Sequence, residues 1–219
     1  PMASESKEAL GSMGVDTPLA CLSRQPRSAF EYFRQLFAQV TNPPMDSIRE
    51  GIVMSLSCVV GPSGNILDKN ANQCKRLRLP SPILSIVDLR AIRNLNKVDS
   101  EWDTIDIDIT FPKSEGVTGY VAALDRIASE VSHAIYDGYK IAILTDKAVN
   151  QDRCSLSTLV ALGSIHHHLV RNKLRSKIAL IVESGEVREV HHFCVLLGYG
   201  ADGICPYLTH STILKLHRE

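Results

Sequence analysis

The sequence predicts an α/β fold in which a parallel sheet, either open or a partial or incomplete (β/α) barrel-like one, is preceded by an N-terminal helical and extended segment. Lys140-Ile141-Ala142-Ile143-Leu144 and Lys177-Ile178-Ala179-Leu180-Ile181-Val182 are short continuous apolar runs, the pattern of strands covered on both faces. Ile105, Ile107 and Ile109 alternate with Asp106, Asp108 and Thr110, the period of a half-buried strand. Stretches with apolar residues at helical spacing separate these runs. The resulting alternation of strand and helix predicts a parallel sheet with right-handed crossovers. The four strands read here cannot close an eight-stranded barrel, which leaves an open α/β sheet or part of a larger incomplete barrel.

The elements divide into residues 1–82 and 83–219. Residues 1–27 are rich in Ser, Pro and Gly, lack periodicity and read as an extended approach. A helix is expected from Ser28, where Glu31 completes a capping box and Phe30, Phe33, Leu36, Phe37 and Val40 share one face. Asn42-Pro43-Pro44 stops it, and Asp46 caps a second short helix. The apolar run Ile52 to Val60 ends at the turn Gly61-Pro62-Ser63-Gly64, and residues 65–82 read as a loop with at most short structure. Beyond residue 83, a helix from about Gly119 to Tyr136 places Val121, Leu124, Ile127 or Ala128, Val131 and Ile135 inward and stops at Gly138. Further helices are expected over Leu156–Val170 and Val187–Leu197, the latter ended by Gly198 and Gly200. A short strand near Gly203–Pro206 and a helix from about Thr209 follow. The stripe that starts at Phe30 is expected to pack on the β/α unit of residues 100–208, so Phe33→Ala should cost about 3–5 kcal/mol.

With 24 basic and 24 acidic residues the chain carries no net charge, which argues against a nucleic-acid or membrane-surface binder. A chain of 219 residues buries roughly 70% of its unfolded surface, enough for a real core. The six cysteines, at 21, 58, 74, 154, 194 and 205, lack CxxC spacing, so zinc or iron–sulfur ligation is not expected. Cys154, Cys194 and Cys205 adjoin apolar runs and read as free buried thiols of a reducing, intracellular compartment, cytoplasmic before organellar. No apolar run is long enough for a membrane span, and no signal peptide is readable.

Parallel β/α proteins bind ligands beyond the carboxyl ends of their strands, which points to Thr145-Asp146, Glu183-Ser184-Gly185-Glu186 and Cys205-Pro206. Ser184 is either an ordinary helix cap or part of an anion site at a helix N-terminus, although Glu186 and Glu189 would repel a phosphate there. His166-His167-His168 and His191-His192 suggest a metal, but adjacent helical side chains diverge by about 100° and the HExxH spacing is absent. They read as core-edge and solvent-facing histidines, with His191 or His192 free to bond a backbone carbonyl of the next strand. Asp106 and Asp108 share a strand face about 7 Å apart and, with Asp103, read as a solvated or interface-facing strand edge rather than an acid–base pair. Gly11-Ser12-Met13-Gly14 and Gly61-Pro62-Ser63-Gly64 lack the contexts of nucleotide-binding loops.

Three segments carry a resemblance. Glu183-Ser184-Gly185-Glu186-Val187-Arg188-Glu189-Val190-His191-His192-Phe193 followed by Leu196 to Gly203, Phe37-Ala38-Gln39-Val40-Thr41-Asn42-Pro43-Pro44, and Gly11 to Ala20 closely resemble the central region of glutamate synthase. The resemblance spans most of residues 11–208 and favours the incomplete-barrel alternative. It implies a piece of a longer, glutamine-dependent enzyme with an N-terminal amidotransferase, a synthase barrel holding FMN and a 3Fe–4S cluster, and a C-terminal β-helix. The parent oxidoreductase would make glutamate from glutamine and 2-oxoglutarate. The wording of the motifs is closest to eukaryotic NAD(P)H-dependent members, whose FAD and NAD(P)H sites lie outside this chain.

The amidotransferase nucleophile, a processed N-terminal Cys, has no counterpart here, since the chain begins at Pro1 and its first cysteine is Cys21. No catalytic, cofactor-binding or metal-binding residue is therefore assigned, and the isolated chain is expected to be colourless, metal-free and without glutaminase activity. The implied role is to join the amidotransferase and FMN-binding domains of one polypeptide and to wall the ammonia path. Two readings of other classes stand beside it: a stand-alone small β/α enzyme with a phosphate-type site at the Ser184 loop, and a protein-interaction module acting through residues 1–80.

Overall fold

The computed structural model describes residues 2–5, 7, 17–34, 46, 48–65 and 67–218. The elements in chain order are α1 (Met2–Glu5), β1 (Cys58–Val60), β2 (Leu77–Leu79), α2 (Ile86–Arg93), β3 (Thr104–Asp108), β4 (Thr110–Pro112) and α3 (Gly116–Tyr136). They continue with β5 (Ile141–Thr145), β6 (Arg153–Ser155), α4 (Thr158–Arg171), β7 (Ala179–Glu183), α5 (Val190–Gly198), β8 (Gly203–Cys205) and α6 (Tyr207–Arg218). Strands β3, β5, β7 and β8 form one parallel sheet in sequential order. Ile83 bridges Ile204 in parallel and so continues the sheet past β8.

Period-two alternation divides the sheet's side chains between two cores. Ala142, Leu144, Leu180 and Val182 face one side, where Ile127 of α3, Leu162 of α4 and Leu196 of α5 bury them. Ile141, Ile143, Ala179 and Ile181 face the other, covered by Leu89 and Ile92 of α2 together with Val60 and Leu79 of the β1–β2 ribbon. The three crossover helices thus share one face. Sequential strand order with helices on a single face is the construction of a barrel arc rather than of a doubly wound sheet, which decides between the two alternatives left by the periodicity. The face that a closed barrel would turn inward is instead covered by α2 and the ribbon.

Helix α2 was not anticipated from the sequence. Its N-terminus carries a complete capping box, with Ser85 Oγ accepting from Asp88 N at 3.1 Å and Asp88 Oδ2 accepting from Ser85 N at 2.9 Å. The short structure allowed for in the loop of 65–82 includes β2, paired antiparallel with β1 through Cys58↔Leu79 and Val60↔Leu77. A second ribbon, β4 with β6, lies beyond the main sheet. Among the described residues the segment after Ser28 is a 3-10 turn, Ala29–Phe33, and the Ser28 side chain makes no cap hydrogen bond. Leu36, Phe37 and Val40, the stop at Asn42–Pro44 and the Gly11–Asp16 part of the first motif lie outside the described residues. In place of a second α-helix after Asp46 there is a 3-10 turn, Gly51–Met54, although the Asp46 carboxylate does accept Ile48 N at 3.0 Å.

Phe30 is fully buried in the larger core, so this end of the stripe packs on the β/α unit as expected. Phe33, in contrast, is 44% exposed and meets Tyr199 edge-on at 5.3 Å. The cost foreseen for truncating Phe33 therefore belongs to Phe30. Among the described residues, no helix is long and apolar enough to cross a membrane. All six cysteines are unpaired; of the three expected to be buried only Cys205 is, while Cys154 is half-buried and Cys194 exposed.

Candidate functional site

The parallel register aligns Asp108, Thr145, Glu183 and Cys205 in one row across the carboxyl end of the sheet. Because the row continues the period of Ile141, Ile143 and Ile181, it lies on the face covered by α2. Glu183 is 1% exposed there and is met from both sides by cations. The Arg93 guanidinium, delivered by the last residue of α2, donates to Glu183 Oε2 at 2.6 Å and Oε1 at 3.3 Å, and its Nε donates to both Asp106 carboxylate oxygens at 3.0 and 3.1 Å. Lys147 Nζ reaches Glu183 Oε1 at 2.6 Å, and Thr145 Oγ1 donates to Glu183 Oε2 at 2.9 Å. Burial alone would push the Glu183 carboxyl up. The hydrogen bonds from Arg93, Lys147 and Thr145 outweigh it and hold the group below its ordinary value.

A second network adjoins this one. Asp146 Oδ2 accepts from Ser184 Oγ and from Gly185 N, each at 2.8 Å. Since the single Ser184 hydroxyl proton is used there, Thr158 Oγ1 is the donor in its 2.7 Å contact with Ser184 Oγ. Glu186 N donates to Ser184 Oγ at 3.0 Å, and Glu186 Oε2 accepts from Thr158 N at 2.7 Å, placing a carboxylate at the N-terminus of α4. Burial, then the Asp146 carboxylate, pushes the Tyr207 hydroxyl well above its usual range. Burial and the Glu183 charge push the Cys205 thiol up to about 11, so it is protonated and non-nucleophilic at neutral pH.

The expected site residues at the strand ends therefore converge, but the role expected of Ser184 is corrected. Helix α5 begins at Val190 with Glu189 as its N-cap, so Ser184 is neither its cap nor a donor to an anion there. Ser184 is completely buried, and its hydroxyl is committed to Asp146, Thr158 and Glu186. The histidines likewise serve packing. His191 Nε2 donates to the Phe30 carbonyl at 2.9 Å, a turn of the N-terminal segment rather than the next strand, and His192 stacks on the Phe30 ring at 4.4 Å. His168 Nε2 meets Ser132 Oγ at 2.9 Å, and His166 Nδ1 accepts from Arg175 Nε at 3.1 Å. Asp106 pairs with Arg93 and Asp108 with Arg153 at 2.9 Å on the edge strand β3, while Asp103 accepts Asn96 Nδ2 at 3.0 Å. Among the described residues no group of three or more His, Cys, Asp or Glu is placed to hold a metal ion.

Arg93 and Lys147 were missed in the sequence. Neither sits in a motif, and Arg93 is 90 residues from its main partner. The one available signal was Glu183 itself, a carboxylate ending an apolar strand run, which demands a cation from elsewhere. Chemically, Glu183, Arg93, Lys147 and Asp106 spend their charges on one another, whereas Asp146 and Glu186 accept from backbone N–H and hydroxyl groups. The arrangement rivets the ends of β3, β5 and β7 to α2 at the place where a barrel enzyme would hold substrate.

The fold is a β/α barrel arc whose carboxyl end carries a buried Glu183 held by Arg93 and Lys147. Comparison with known proteins gives the family: the glutamate synthase central domain model matches residues 1–219, and the chain belongs to that family. It is 57% identical over 219 residues to the glutamate synthase [NADH] of Schizosaccharomyces pombe and 56% identical over 219 residues to that of Saccharomyces cerevisiae. Each match covers 100% of this chain and 10% of the relative. It is also 42% identical over 212 residues to the glutamate synthase [NADPH] large chain of Bacillus subtilis, covering 97% of this chain and 14% of that one. The chain thus spans about a tenth to a seventh of the length of these relatives.

Proposed function

We propose that residues 1–219 act as the non-catalytic central domain of a glutamate synthase. In this reading they couple an amidotransferase domain to an FMN-binding synthase domain of the same polypeptide and help to wall the path along which ammonia passes between them. The observation that supports it best is the Arg93–Glu183–Lys147 network, which occupies the carboxyl end of the sheet with internal ion pairs and leaves shape, rather than reactivity, as what this edge offers. The buried Ser184 and the protonated Cys205 point the same way. Residues 1–82 would serve as the N-terminal segment and 83–219 as the β/α portion of the domain.

The complete enzyme, on this proposal, is an oxidoreductase that converts glutamine and 2-oxoglutarate to glutamate inside the cell, with NADH favoured as donor by the names of the two yeast relatives. FMN, FAD and a 3Fe–4S cluster would reside outside residues 1–219. The proposal is tested by Glu183→Gln in the full-length synthase, measuring glutamine hydrolysis, free ammonia and glutamate together. Hydrolysis should persist while more ammonia escapes per glutamate formed. An unchanged ratio, or loss of hydrolysis itself, overturns the assignment of a coupling role.

A further inference from the structure

At the opposite, amino-terminal end of the sheet, the turn Gly61-Pro62-Ser63-Gly64 borders a cavity of about 510 Å³. Its base is formed where the chain enters β5 and β7, and its outer wall is the loop that follows the turn. That loop is tied to the body by Ser63 N, which donates to the Ser176 carbonyl at 2.7 Å, and is closed on itself by Gln73 Nε2, which donates to the Asn65 carbonyl at 2.6 Å. Gly61, at φ 124°, passes so close to the Trp102 indole that a Cβ there would lie 2.7 Å from the ring. The loop and the indole thus form one wall.

The charges in the cavity do not balance. Lys75 pairs with Glu101 at 2.7 Å, while the Asp68 carboxylate accepts only the neutral Asn65 Nδ2 at 3.2 Å, so three lysines face two carboxylates and the lining carries one excess positive charge. Lys140 and Lys177 also line the cavity, and neither ammonium makes an ion pair or hydrogen bond among the described residues. They stand where the chain enters the neighbouring strands β5 and β7, with Ala179 N donating to the Lys140 carbonyl at 2.9 Å, and both line this one cavity. Beside them are the Trp102 and Tyr139 rings. Two unpaired ammonium groups next to aromatic walls in a concavity of this size are the complement of a phosphate joined to a planar ring.

We infer that this cavity binds a small nucleoside-phosphate-type ligand, with Lys140 and Lys177 on the phosphate and Trp102 and Tyr139 beside the ring. Trp102 is the only tryptophan of the chain, so its emission reports occupancy directly. The probe is AMP, titrated into the 219-residue chain alongside adenosine and inorganic phosphate, with calorimetry as the second readout. AMP should give a saturable change in emission and bind more tightly than either part alone. Lys140→Gln and Lys177→Gln, which remove no side-chain bond among the described residues, should each weaken AMP about tenfold. No saturable response to AMP, or AMP binding unchanged in both variants, overturns the site. Phosphate binding as tightly as AMP overturns the part assigned to the rings.

Discussion

A carboxylate buried as deeply as Glu183 is tolerated only while its partners remain in place. Replacing it with Gln leaves Arg93 and Lys147 facing a neutral amide, and breaking a buried pair from one side costs more than the pair contributes net. Both cations retain some access to water, with side-chain exposures of 27% and 45%, so a loss of about 2–3 kcal/mol at pH 7 is expected. The pH dependence has a definite sign. The folded carboxyl titrates below the unfolded one, so its contribution is complete above the ordinary glutamate range and is lost as pH falls through the folded value. Urea midpoints of the wild type and Glu183→Gln should therefore differ at pH 7 and draw together in acid, as pH falls through the folded value. A difference that persists undiminished in acid would mean that packing, not charge, accounts for it.

Among the elements, the short turn Ala29–Phe33 attaches the N-terminal segment to the outer helices. Phe30 is enclosed by the core and by the His192 ring, whose neighbour His191 also bonds its carbonyl, whereas Phe33 lies half in water. Phe30→Ala should cost about 3–5 kcal/mol, and Phe33→Ala about 1 kcal/mol. Equal shifts in the urea midpoint for the two variants would refute this division. The contrast also marks how far the elements were legible. Strands β5 and β7 and helices α3 and α4 announced themselves because both faces of each strand, and one long face of each helix, are apolar by local pattern. Helix α2 escaped because its inward face is carried by only a few residues, Leu89 and Ile92 among them, between Pro82 and the Asn94 stop. Strand β2 was legible only as short structure within a loop, because its three residues alternate too briefly to be identified as a strand. The strand ends were legible as the place to look through the rule for parallel sheets, but the bond from Arg93 to Glu183 found there depends on register and docking that no local pattern encodes.

For the molecule as a whole, the two faces of the sheet are covered unequally. The outer face is sealed by long crossover helices that are covalently continuous with the strands and fold with them. The inner face is sealed by α2, eight residues long, and by a ribbon of two three-residue strands, a length too short to be stable without the surface beneath it. Such coverings open before the structure they cover, because undocking them exposes only the smaller apolar cluster while the larger one stays shut. Native-state hydrogen exchange should therefore show the amides of β1 and β2 exchanging through a partial opening at least about 2 kcal/mol cheaper than the event that frees the fully buried amides of β5 and β7. Cleaving the ion pairs of Arg93 by Arg93→Met should lower the opening energy of α2 while leaving β5 little changed, since Arg93 is the charged tie between that helix and the strand ends. If ribbon, α2 and central strands all exchange with one common free energy, the inner covering is integral to the fold, and the arc does not form a stable unit without it.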